Sequence, residues 1–141
     1  MASYDPKQFP HRDVTEQVIG AFYEVYNELG FGFLESVYQR AMLIALDARG
    51  LRADPQVQLP VYFRGHQIGE FAADILVNQA VILELKAADE FCPAHEAQIL
   101  NYLKASTIEV GLLLNFGPKP RLKRMGFSND RKRSRQPAVF E

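Results

Sequence analysis

The sequence predicts an α/β fold, a single domain with a mixed central β-sheet flanked by helices. Three observations carry that expectation. Apolar residues recur at helical spacing in two N-terminal segments, the period then changes to alternation, and a short apolar run follows a third helical segment. With 141 residues, about half of them apolar, the chain has the size and composition of one packed unit and shows no internal repeat.

Asp13 and Glu16 read as a capping box. Val18, Phe22, Val25, Tyr26 and Leu29 then fall on one stripe, predicting a helix over about 14–29 that Gly30-Phe31-Gly32 ends. A second helix is expected over about 34–49. Leu34, Val37, Tyr38, Ala41, Ile44, Ala45 and Ala48 share its stripe, and Met42, Leu43 and Leu46 widen it. Val57, Leu59, Val61 and Phe63 alternate with mostly polar partners, and 64–67 makes a turn before strands at 70–77 and 81–86. Pro93 suits the first turn of a third helix reaching about residue 105. The run 110–116 fits a buried strand that can lie parallel to its neighbour after a helical crossover. Pro118 and Pro120 break the pattern, and 121–127 can add an edge strand.

Cys92 is the only cysteine, which excludes an intrachain disulfide and a cysteine-held zinc. The first residues lack the basic flank and apolar stretch of a secretory signal, and no apolar run approaches the roughly 20 residues of a bilayer span, so a cytoplasmic protein with no membrane partner is expected. A net charge of −1 hides an asymmetry. Between 119 and 135 stand eight basic residues against Asp130 alone, or +7, which leaves −8 for the rest. The expected division is a domain at 1–127 and a flexible basic tail at 128–141. That tail either meets nucleic-acid phosphates or is a solvated aid to solubility.

The strands at 70–77 and 81–86 bring acidic residues together. A three-residue connection, Asn78-Gln79-Ala80, sets Asp74 opposite Glu84 and collects Ile75, Val77, Val81, Leu83 and Leu85 on one apolar face. Asp74, Glu84 and Lys86 then share the other face. A two-residue turn would mix the two sets, so the longer connection is expected. Facing carboxylates have Cβ atoms roughly 5 Å apart and repel unless a cation or a proton intervenes. Magnesium suits such a pair together with a substrate phosphate. The plainer alternative is a solvated face on which Lys86 neutralises one acid.

Further motifs favour the metal. Gly32-Phe33-Leu34-Glu35-Ser36-Val37-Tyr38 reads GxxExxY, Glu84-Leu85-Lys86 follows Asp74, and Gln98-Ile99-Leu100-Asn101-Tyr102 reads QxxxY. Together these resemble the GxxExxY protein family, a branch of the PD-(D/E)XK nuclease superfamily, over about 14–127. Segments 95–106 and 111–117 are particularly similar, whereas Ala72 stands where a larger, often basic residue is expected. The resemblance implies a core of helix, three-stranded meander, helix and strand. It implies Glu35, Asp74, Glu84 and the Leu85 carbonyl as metal ligands. It implies Lys86 as the residue that orients or deprotonates the attacking water, and Gln98 and Tyr102 as lining the same cleft.

Each residue also has a plainer role. Glu35 can serve the helix dipole, Tyr38 can be core with its hydroxyl bonded, and Gln98 with Tyr102 can fix the helix to the sheet. His95 beside Glu96 reads as a solvated first-turn residue rather than a zinc ligand. The expected function is Mg²⁺-dependent phosphodiester hydrolysis in nucleic acid, DNA above RNA, with Mn²⁺ as substitute and Asp74, Glu84 and Lys86 catalytic. The alternative is a non-catalytic nucleic-acid- or protein-binding module. No second DNA-reading domain is obvious in the sequence, so a homodimer or a separate specificity subunit is a further partner to expect.

Overall fold

A computed structural model describes residues 10–132. Helices α1 (Arg12–Leu29) and α2 (Glu35–Ala48) precede strands β1 (Ala53–Phe63), β2 (His66–Val77) and β3 (Val81–Lys86). Helix α3 (Pro93–Ala105), strands β4 (Val110–Phe116) and β5 (Pro120–Gly126), and a short 3₁₀ turn (Asn129–Arg131) complete it. The five strands form one sheet in chain order, antiparallel throughout except for the β3–β4 pair. That single parallel pair is the one joined through a helix, as a parallel connection requires.

Helices α1 and α2 cover one face. Val18, Phe22, Tyr38, Met42 and Leu46 pack there against Ile75, Val77, Leu83, Leu85, Leu112 and Leu114. Helix α3 covers the other, with Leu103 against Phe71, Ala73, Leu76 and Ile82. Both central strands are buried on two sides, which is why β3 and β4 read as apolar runs rather than alternating ones. Among the described residues no helix is long and apolar enough to cross a membrane.

Three expectations need correction. The helix α1 starts at Arg12, so Asp13 lies inside its first turn; the cap is His11 with no side-chain bond, and Glu16 instead accepts from Arg12 Nε at 2.9 Å. The hairpin β1–β2 is longer than the alternation suggests, because Pro55 and a positive-φ Gln56 interrupt the pattern in the edge strand β1. Its turn is Arg64-Gly65, both at positive φ, with His66 and Gln67 already in β2. Finally, the chain after residue 127 stays packed as far as Lys132. That lysine is buried, and its Nζ donates to the carbonyls of Ser106 (2.8 Å) and Ile108 (2.7 Å). The rest of the expected tail, with Arg133 and Arg135, lies outside the described residues.

Candidate active site

The β2–β3 connection has the three-residue form, with Asn78 and Gln79 at φ of 51° and 54°. The ladder pairs Val77 with Val81, Leu76 with Ile82 and Ile75 with Leu83 and ends there, with Asp74 and Glu84 next along the two strands and close enough that their charges interact. On its other side the ladder between β1 and β2 skips the Gln56–Asp74 pair. Sides switch there: Phe71 and Ala73 pack toward α3, whereas Ile75 and Val77 pack toward α1 and α2. Such an irregularity re-aims a strand's side chains, and here Asp74 turns to β3. Its Oδ2 accepts the Leu85 N–H at 2.7 Å, a side chain completing what the ladder leaves open.

Glu84 is 6% exposed, and its Oε1 is buried with no hydrogen-bond partner. Burial first, and then the neighbouring Asp74 charge, push its carboxyl up to about 8. The Asp74 carboxyl is raised too, by burial; the Leu85 N–H and the Lys86 charge pull it back. Lys86 is half-buried at the end of β3 and lowers both acids. Tyr102 stands close enough that burial and then the Glu84 charge raise its hydroxyl. Its ring stacks on Phe71 at 3.7 Å, and its oxygen accepts from Gln98 Nε2 at 2.8 Å. Asp74, Glu84, Lys86 and Tyr102 therefore come together, with Gln98 behind Tyr102.

Glu35 is placed differently. It is the exposed first residue of α2, near enough that its charge acts on Asp74. It lines a cleft of about 300 Å³ between residues 31–35, 87–89 and 116–118. Among the described residues no three His, Cys, Asp or Glu side chains are gathered tightly enough to surround one ion. The pair formed by Asp74 and Glu84 nevertheless fits a hard divalent cation. Its oxygens are carboxylate, one is buried without a partner, and the two charges need a cation or a shared proton. Leu85 gives its N–H to Asp74 and buries its side chain in the core.

The GxxExxY residues have separate physical tasks. Gly32 sits at φ 114°, which side-chain-bearing residues seldom adopt, and Glu35 opens α2. Tyr38 is fully buried, stacks on Phe116 at 4.2 Å, and donates its hydroxyl to Gly30 O at 2.6 Å. His95 departs from a solvated residue, since its Nδ1 is buried without a partner, while Glu96 pairs with Lys123 at 2.5 Å.

Sequence reasoning missed Asn115. It is fully buried beside Lys86 in the β3–β4 ladder. Its side chain accepts from Ala88 N and donates to Ala88 O, both at 2.9 Å, clamping the segment that leaves Lys86. A Cβ at Gly117 would lie 2.0 Å from that same Ala88 oxygen, so the residue that follows β4 must stay bare. The signal was a lone polar residue inside the apolar run 110–116. Asn115→Ala is expected to lower stability by about 1–3 kcal/mol and to loosen the segment after Lys86, with a loss of any activity that depends on that lysine. Urea denaturation with steady-state kinetics checks both, and unchanged turnover would limit Asn115 to a structural part.

No curated protein matches the sequence. A solved structure titled "Crystal structure of SSO0001" is similar over 66% of this chain and 50% of its own, at 15% identity and a TM-score of 0.49. The chain thus spans half the length of that structure. The family pattern of the PD-(D/E)XK nuclease superfamily matches residues 12–125, most of the chain, and the strand pair carrying Asp74, Glu84 and Lys86 lies within that match. This protein belongs to the PD-(D/E)XK nuclease superfamily.

Proposed function

We propose that this protein, a member of the GxxExxY branch, hydrolyses phosphodiester bonds in DNA using Mg²⁺, with Mn²⁺ as substitute. The observation that carries the reading is the facing pair of buried acids, one oxygen of it without a partner, beside Lys86. Nucleases of this superfamily typically use divalent metal ions. Asp74, Glu84 and the Leu85 carbonyl would hold the ion, with Glu35 approaching from α2. Bound there, the metal supplies charge that lowers the pKa of water and polarises the phosphate.

The protein's own groups divide the remaining work. Lys86 orients the attacking water and meets the negative charge that develops on the phosphate. Tyr102 accepts a hydrogen bond from Gln98, which leaves its own proton free to donate to a phosphate oxygen. The segment after Lys86 is fixed by Asn115, so the ammonium stays in place as substrate enters.

Incubation of the purified chain with plasmid, linear and single-stranded DNA, with Mg²⁺ or with chelator, tests the reading. Metal-dependent strand cleavage is expected. Binding of DNA and metal without cleavage would give first place to a non-catalytic binding module.

Arg121 gives a further expectation. It lies opposite Asn115, which in turn pairs with Lys86, so the three share one row and one face of the sheet. Lys86 and Arg121 are two strand spacings apart, roughly 10 Å. Arg121 is exposed at the edge strand, where it can meet a phosphate beyond the scissile one. Arg121→Ala should weaken DNA binding for all sequences alike and flatten the log–log salt dependence by about one. Fluorescence anisotropy across salt concentrations measures this, and an unchanged slope would remove Arg121 from the interface.

A further inference from the structure

The connection between α1 and α2 holds two aromatic rings in solvent, Phe31 at 59% exposure and Phe33 at 46%. It is nevertheless fixed from below. Buried Tyr38 binds Gly30 O and accepts the Phe33 N–H at 3.3 Å, and its ring meets the Phe33 ring edge-on at 5.9 Å. Holding two phenyl rings in water forgoes their burial, and exposed apolar patches of this kind mark binding surfaces. The rings stand on one side of the cleft near 300 Å³, which Glu35, Ala88, Asp89 and Gly117 also line. Glu35 belongs both to this cleft and to the surroundings of Asp74.

The chemistry of the cleft narrows its occupant. Glu35 and Asp89 disfavour an anion, so a phosphate is a poor fit without a cation. A neutral base suits it better: the rings offer π faces, and the Asp89 carboxylate can accept from an exocyclic amino group. A base paired and stacked inside a duplex cannot present its face in this way. Resting on the nuclease reading above, we propose that the cleft between Phe31, Phe33 and Asp89 receives an unstacked nucleobase adjoining the scissile phosphate. The enzyme then prefers single-stranded DNA, or a strand with an unpaired nucleotide at the cut site, to continuous duplex.

The test uses the full chain carrying Lys86→Ala, so that bound DNA stays intact, in magnesium. The probes are an oligodeoxynucleotide containing 2-aminopurine and the same strand in a blunt duplex. Single strand should bind at least about tenfold tighter than duplex, and its fluorescence should rise as the base leaves its stacked neighbours. Phe31→Leu keeps an apolar side chain without a ring, at a position too exposed to endanger folding. It should weaken single-strand binding by roughly five- to a hundredfold, leaving duplex affinity unchanged. Phe33→Leu should act in the same direction. Equal affinity for strand and duplex, with no effect of Phe31→Leu, would overturn the inference and leave the nuclease reading standing. A change of molar mass in light scattering on Phe31→Leu, without a change in DNA affinity, would assign the rings to a contact between copies and also overturn it. Failure of wild-type cleavage together with no binding of either probe would remove the nuclease reading itself.

Discussion

Lys86→Ala should lower DNA turnover by about 10²–10³ while leaving metal affinity within a few-fold of wild type. A cation cannot ligate magnesium, so the side chain's value lies in the water and in charge that develops only in the transition state. Its removal acts on metal binding in two opposing ways. The ion loses a repulsive neighbour, whereas Asp74 and Glu84 lose a charge that favours their ionised forms. Lys86→Arg separates two roles that alanine does not. A guanidinium keeps the positive charge but does not give up a proton, so substantial activity in that variant would limit Lys86 to electrostatics. Cleavage by Lys86→Ala at the wild-type rate would place the chemistry elsewhere.

Metal binding should also be strongly pH-dependent, because a proton on Glu84 would occupy the position proposed for the ion. With its carboxyl pushed up to about 8, the metal-free site is largely protonated at neutrality. Apparent Mg²⁺ affinity should therefore rise by about tenfold per pH unit up to near 8 and then level. Folding stability follows the opposite sign. The folded state keeps a proton on Glu84 that the unfolded chain, at its ordinary value of 4.5, has already released. This contribution is fully present below about 4.5 and is lost as pH rises through about 8, by on the order of a few kcal/mol. Asp74, also raised, acts in the same direction. Thermal melts in chelator should fall across that window, and saturating magnesium should cancel the fall. Glu84→Gln should remove the dependence, melt above wild type at high pH without metal, and lose metal binding and cleavage together. A wild-type melting temperature that stays level from pH 5 to 9 in chelator would contradict a buried, unpaired Glu84.

Much of this arrangement could be read in the sequence because burial enforces it. Only one register keeps Ile75, Val77, Leu83 and Leu85 on the same side, so the three-residue connection follows from side-chain parity. The bounds of β3, α3 and β4 were equally legible, since turn residues and prolines punctuate apolar runs there. What stayed hidden depends on contacts distant in the chain. Nothing local announces that Gln56 takes a positive φ opposite Asp74, or that the β1–β2 hairpin changes sides at that point. Asn115 shows in sequence only as a polar residue in an apolar run, and its partner Ala88 is 27 residues away. Lys132 sits in a charge-rich stretch that composition assigns to solvent. Its ammonium is buried because two carbonyls beyond α3 receive it. Charge counting could not distinguish that lysine from the arginines around it.

The most direct measurement is a crystal structure grown with Mn²⁺ at a pH above 8, using the anomalous signal to locate the ion. One peak is expected between the Asp74 and Glu84 carboxylates, about 2.0–2.6 Å from an oxygen of each. Glu35 should be drawn toward it, directly or through water, with Lys86 beside the ion but outside its ligand set. A peak elsewhere, or none under those conditions with Asp74 and Glu84 still facing one another, would contradict the assignment of this pair as the metal site.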